Sequence, residues 1–140
     1  MEEALIKRTM PNSLEAEQSV IGSMIVDKDA ILTASEILHK DDFYHQQYGV
    51  LFEAIVELYN DRQPVDLVTL QNKLKEKDVP AEVASLEYIG DLVAAVPLTV
   101  NVEAYANIVK DKALLRHIIP VKQELENECY AGKQDEGSIL

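Results

Sequence analysis

From Asn101 to about Ala131 the chain keeps a helical pattern for roughly 30 residues, where a helix usually runs about 11 or 12. At about 100° per residue, the two halves of this stretch do not share one apolar face. Val102, Tyr105, Val109 and Ala113 fall within roughly 80° of one another, whereas Leu114, Ile118, Val121, Leu125 and Cys129 point roughly 140° away. The first face can pack on the elements that precede it. The second needs a different cover. Asn101 suits the N-cap of this helix and Gly132 its end.

Upstream, apolar residues recur at three- and four-residue steps almost everywhere. Asn12 or Ser13 can cap a helix reaching about Val26, with a buried stripe of Leu14, Ile21, Met24 and Ile25 and room for a close neighbour at Gly22 and Ser23. Asp27 or Asp29 opens a short helix through Ile31, Leu32 and Leu38, followed by a polar turn at His39-Lys40-Asp41-Asp42. A third helix covers roughly Tyr44 to Asn60, with Tyr48, Leu51, Phe52, Ile55 and Tyr59 on one side. After the loop at Asp61 to Val65, Asp66 caps a fourth helix carrying Leu67, Leu70 and Leu74. A fifth presents Leu86, Ile89, Val93 and Val96 and stops at Pro97. Only Val96 to Val102 alternates like a strand, and Pro97 argues against one. The pattern predicts an all-α fold, a small globule of about five helices followed by one long helix.

Charge narrows the function classes. Lys and Arg number 13 against 25 Asp and Glu, a net charge of −12. Nucleic-acid binding draws most of its affinity from cations that displace phosphate counterions, so direct DNA binding is expected to be weak. A basic protein surface is the better-matched partner. The lone Cys129 permits no internal disulfide, and Met1-Glu2-Glu3-Ala4-Leu5 lacks the positive start of a secretion signal. With no apolar run long enough for a membrane span, a cytoplasmic location is expected.

No reaction chemistry stands out. A phosphate loop needs spaced glycines followed by Lys and Ser or Thr, and Gly132-Lys133 is followed by Gln134. His39 and His45 flank Asp41 and Asp42, yet their spacing matches no standard metal-ligand pattern and suits a polar helix-end turn. Ser23 and Ser35 lie within helical patterns, away from any nucleophile elbow. Cys129 falls on the apolar face of the long helix, where a packed thiol is expected. Paired carboxylates such as Glu2-Glu3, Asp41-Asp42 and Asp135-Glu136 read as solvated charge. No catalytic, cofactor or metal site is expected in this chain.

Several segments in order carry a family resemblance. Pro11-Asn12-Ser13-Leu14-Glu15-Ala16-Glu17-Gln18-Ser19-Val20-Ile21-Gly22 is similar to the opening P-x-S-x-E-A-E-Q-x-V-x-G of bacterial replicative helicases of the DnaB type. Asp42-Phe43-Tyr44 and Pro64-Val65-Asp66-Leu67-Val68-Thr69-Leu70 follow. Then come Tyr88-Ile89, Val96-Pro97, Asn101-Val102, Tyr105-Ala106, Ile108-Val109, Lys112-Ala113 and Leu114-Leu115-Arg116. Together they cover about residues 10 to 119 and resemble that family's N-terminal domain.

The resemblance implies a helical globule leading into a helical hairpin. It implies a homo-hexamer whose N-terminal domains form a trimer of dimers, a collar above an ATP- and Mg-dependent motor that this chain lacks, and a docking site for primase. The expected division is a tail over residues 1–12, the globule over 13–98 and the long helix, or first hairpin arm, over 99–132. Residues 133–140 would then be the hairpin turn and the start of a second arm, cut off at Ser138-Ile139-Leu140. Pro120 departs from a regular arm, because it removes a hydrogen bond and crowds the preceding turn, so a kink is expected near Arg116 to Pro120.

Self-association is expected through Leu114, Ile118, Val121 and Leu125, and primase contact through Glu15, Tyr88 and Ile119. Glu15 lies on the first turn of its helix, free to meet a basic partner. Tyr88 falls between the core positions Leu86 and Ile89, and Ile119 lies roughly 100° from either apolar cluster of the long helix, as an exposed anchor should. Two rival readings are a DNA-binding helical module, for which Lys73, Lys75 and Lys77 are diluted by Glu76 and Asp78, and the related helicase-binding domain of primase.

Overall fold

Helix starts in this protein are set by short polar side chains that accept the first orphaned amides. A computed structural model describes residues 10–97 and 101–132, with the side chains at 120–123 and 130–132 outside that description. The helices are α1 (Leu14–Val26), α2 (Lys28–Ile37), α3 (Gln46–Asn60), α4 (Leu67–Lys75), α5 (Leu86–Ala94) and α6 (Val102–Gly132), with a 3-10 turn at Lys40–Asp42. Ser13 Oγ accepts from the Ala16 amide at 3.2 Å, Ser85 Oγ from Tyr88 at 3.1 Å and Asn101 Oδ1 from Ala104 at 3.1 Å. Asp66 and Thr69 cap each other reciprocally, the Thr69 amide donating to Asp66 Oδ1 at 2.8 Å and the Asp66 amide to Thr69 Oγ1 at 2.9 Å. The Thr69 amide holds the Asp66 carboxyl below the usual range. The fold is all-α, five helices and then a long sixth, with no strand among the described residues. Residues 1–9, 98–100 and 133–140, and with them most of the expected tail and hairpin turn, lie outside those described.

Helix α3 ends in a Schellman motif. Gln63 N–H donates to Leu58 O at 2.9 Å and Arg62 N–H to Tyr59 O at 3.1 Å, which places Arg62 in the left-handed region at φ 59°. That conformation costs a side-chain-bearing residue roughly 1–2 kcal/mol. Arg62→Gly is therefore expected to stabilise the fold by about 0.5–1 kcal/mol, after allowing for glycine's freer unfolded state. A rise of roughly 1–4 °C in thermal midpoint would register it; a fall would show that the arginine side chain makes an offsetting contact.

Helix α1 is the centre of the fold, packed against α2, α3, α5 and α6. From Ala16 to Ile25 every residue except Gln18 is buried, so the middle of α1 has almost no solvent face. Its small residues let the neighbours in. A Cβ on Gly22 would run into the Val96 side chain and lie 2.7 Å from the Leu92 carbonyl oxygen. The expected stripe of Ile21, Met24 and Ile25 is buried, but Leu14 is 45 % exposed, because it occupies the first turn, beyond the neighbours' cover. Leu32 and Leu86 are likewise exposed rather than buried. Leu32 follows Ile31 by about 100°, so only one of the two can face the core, and Leu86 is the first residue of α5.

Helix α6 packs on α1, α2 and the 3-10 turn through Ala106, Val109 and Ala113, with Val102 and Tyr105 half-buried. The helix is assigned without interruption through Pro120, so the kink expected there breaks no helical turn.

Candidate functional site

The polar residues of greatest consequence meet where α1, the 3-10 turn and α6 converge. Glu17 is 1 % exposed, a position that would be costly for an unsatisfied carboxylate. It accepts from the backbone amides of Tyr44 at 2.9 Å and His45 at 3.1 Å, and lies 3.0 Å from His45 Nδ1. Those amides open α3, whose N-cap residue His45 makes no side-chain cap of its own. The acid on α1 thus caps α3 from outside, where the helix dipole favours negative charge. Gln18 adds a bond from Nε2 to the Tyr48 hydroxyl at 2.9 Å.

Asp42, expected to be part of a solvated polar turn, is buried. Its carboxylate accepts from the His39 amide at 2.8 Å and pairs with Lys110 Nζ at 3.3 Å. Arg116 closes the cluster. Its Nη1 donates to Pro11 O at 2.8 Å, its Nη2 donates to Asp42 O at 2.6 Å, and its guanidinium carbon stands 5.5 Å from the Tyr44 ring centre. His45 and Asp42 are thus occupied in holding helices together, and no cluster of His, Cys, Asp and Glu among the described residues could hold a metal.

Beyond this cluster the other face of α6 is open. Leu114 is 49 %, Leu115 44 %, Ile118 57 % and Leu125 57 % exposed, and the carboxylates of Glu124, Glu126 and Glu128 stand exposed around the distal part. The Val121 side chain, expected on this stripe, lies outside the described set. Three details differ from expectation. Cys129 is exposed, not packed. Leu115 joins the exposed apolar residues, a position that the pattern alone did not single out. Ile119 is half-buried instead of exposed, because it follows Arg116 by three residues and sits within roughly 60° of the side drawn onto the globule.

Tyr88 on α5 is half-buried, and its hydroxyl is buried near Tyr48 and Gln47. Burial, with a smaller contribution from neighbouring Tyr48, pushes its pKa up to about 12. The ring borders a groove of about 370 Å³ lined also by Gln47, Val50 and Val79, with Asp78 and Glu82 supplying acid. Glu15 is exposed on the first turn of α1. The three expected contact positions therefore stand on three different helices, α1, α5 and α6. Tyr88 lies beside Tyr48, the partner of Gln18, and Ile119 lies one turn beyond the arginine that reaches Pro11.

Residues 9–111 match the family described as the DnaB-like helicase N terminal domain. The chain belongs to that family. Over its whole length it is 36 % identical to the replicative DNA helicase DnaB of Geobacillus stearothermophilus and 35 % identical to the replicative DNA helicase DnaC of Bacillus subtilis, spanning 31 % of each. The N-terminal domain of the Mycobacterium tuberculosis DnaB helicase has the same fold, with a TM-score of 0.84 at 34 % identity and 94 % of each chain covered. That of Helicobacter pylori, solved along with its interactions with primase, shares the fold at a TM-score of 0.69 and 22 % identity, covering 83 % of this chain and 90 % of its own. The DnaB-type opening segment now has physical content in this chain: Ser13 caps α1, Glu17 caps α3, Gln18 ties to Tyr48, and Gly22 admits α5.

Proposed function

We propose that this chain is the collar domain of a replicative helicase, joining subunits into a hexamer through the exposed stripe of α6 and docking primase through the surface around Tyr88. ATP and Mg would belong to a motor in the remainder of the protein. The observation that carries this reading is the row of half-exposed leucines and isoleucine on α6, apolar area that its own globule does not cover. The acidic groove at Tyr88 supports a basic partner segment. A DNA-binding reading gains nothing from α4 and the turn after it, because Lys73 pairs with Glu76, and Lys77 with Glu53 and Glu57.

Light scattering tests assembly. The wild-type chain is expected to exceed monomer mass at tens of micromolar, and Leu125→Asp to return it toward monomer with an unchanged circular dichroism spectrum. A wild-type chain that stays monomeric at every concentration would remove the stripe from the assembly. Calorimetry against the cognate primase's C-terminal region tests docking. Tyr88→Ala should weaken binding about tenfold, equivalent to about 1.4 kcal/mol, and equal affinity would exclude the groove.

A further inference from the structure

We infer that Arg116 is the joint that fixes the direction in which α6 leaves the globule. Three anchors on three segments hold it: the carbonyl of Pro11 ahead of α1, the carbonyl of Asp42 at the end of the 3-10 turn, and the face of Tyr44 at the approach to α3. Two of these anchors are themselves fixed. Asp42 is buried and held by His39 and Lys110, and the Tyr44 amide is held by the buried carboxylate of Glu17. Past Arg116 the described side chains of α6 stand in solvent except for half-buried Ile119, so this is the last polar attachment among them.

The choice of arginine has a physical reason. A planar fork can donate to two carbonyls at 2.8 and 2.6 Å while lying against a ring, whereas an ammonium is a point donor that cannot reproduce that geometry. Both acceptors are neutral carbonyls, so the two bonds carry no ion pair of their own, and salt screens them less than the Lys110–Asp42 pair. Arg116 is therefore a positioning residue for the apolar stripe at Leu114, Ile118 and Leu125. Its importance to assembly rests on the function proposed above, but the joint is measurable without it.

The single cysteine, Cys129, is exposed near the far end of α6 and serves as one spin-label site. Glu36→Cys, exposed on α2, supplies the second. Pulsed dipolar distances on the full chain, diluted with unlabelled protein, report only intrachain geometry. Arg116 intact should give one narrow distribution. Arg116→Lys and Arg116→Gln should at least double its width, Tyr44→Leu should widen it less, and Lys112→Gln should leave it unchanged. An unchanged width in folded Arg116→Gln overturns the inference. If neither Arg116 variant folds, the residue is a folding determinant and not a joint, which also overturns it. Light scattering on the same samples reads assembly separately, so failure of one proposal does not pass for failure of the other.

Discussion

Glu17→Ala is expected to destabilise the domain by about 3–5 kcal/mol, a large part of the 5–15 kcal/mol that holds a typical domain together. The carboxylate is buried and accepts from two backbone amides, with His45 Nδ1 also within 3.0 Å. Alanine leaves the Tyr44 and His45 amides, which lead into α3, without their acceptor in a part-buried site. Each hydrogen bond to a charged group is worth roughly 1.5–3 kcal/mol, and an orphaned buried donor costs about 1–3 kcal/mol. Glu17→Gln keeps the shape and one acceptor oxygen, so it should lose less than half as much. Chemical denaturation of the three proteins measures the order. Equal midpoints for wild type and Glu17→Ala would mean that water replaces the carboxylate at no cost, and the cap argument would fall.

The second large effect is a reversal of sign between two helical glycines. In a helix interior, Gly→Ala ordinarily gains up to about 1 kcal/mol. Gly90 on α5 has nothing within 4 Å of the site a Cβ would take, so Gly90→Ala should show that gain. At Gly22 a Cβ would meet the Val96 side chain and the Leu92 carbonyl oxygen at 2.7 Å. The side chain can move, but the carbonyl belongs to α5's own backbone, so the two helices must separate. Overpacking of this kind costs about 1–3 kcal/mol. Thermal unfolding should therefore move down for Gly22→Ala and up for Gly90→Ala. Movement of both in the same direction would show that the α1–α5 contact is looser than its geometry.

Periodicity and capping chemistry carry most of this fold. Ser13, Asp66, Ser85 and Asn101 each start a helix, and the two faces of α6 could be separated by angle alone. What pattern could not supply is depth. Leu14, Leu32 and Leu86 have core chemistry but sit at helix ends or off the buried stripe, and only the placement of the neighbours decides their exposure. The same holds in reverse for Glu17 and Asp42. In a chain with 25 acidic residues an individual carboxylate reads as solvated, and nothing local says that its acceptors are needed by a helix 27 residues away. Their place in the E-A-E-Q and Asp-Phe-Tyr segments is the signal that sequence carries, and the chemistry behind it lies in partners distant along the chain. Ile119 shows the limit of angular reasoning: it lies clear of both apolar faces, yet Arg116 pulls its side of the helix inward.

The length of α6 beyond Arg116, its last polar attachment among the described side chains, makes it a lever. From Arg116 to Gly132 the helix runs on for 16 residues, or ~24 Å at the usual rise. A rotation of about 10° about the fulcrum sweeps the tip through ~4 Å, most of one helical pitch of ~5.4 Å. Side chains that interlock across two helices tolerate far less than a pitch before ridges meet ridges. Mechanical advantage therefore works against any surface carried at the tip: play too small to disturb the globule is magnified into a lost register at the far end.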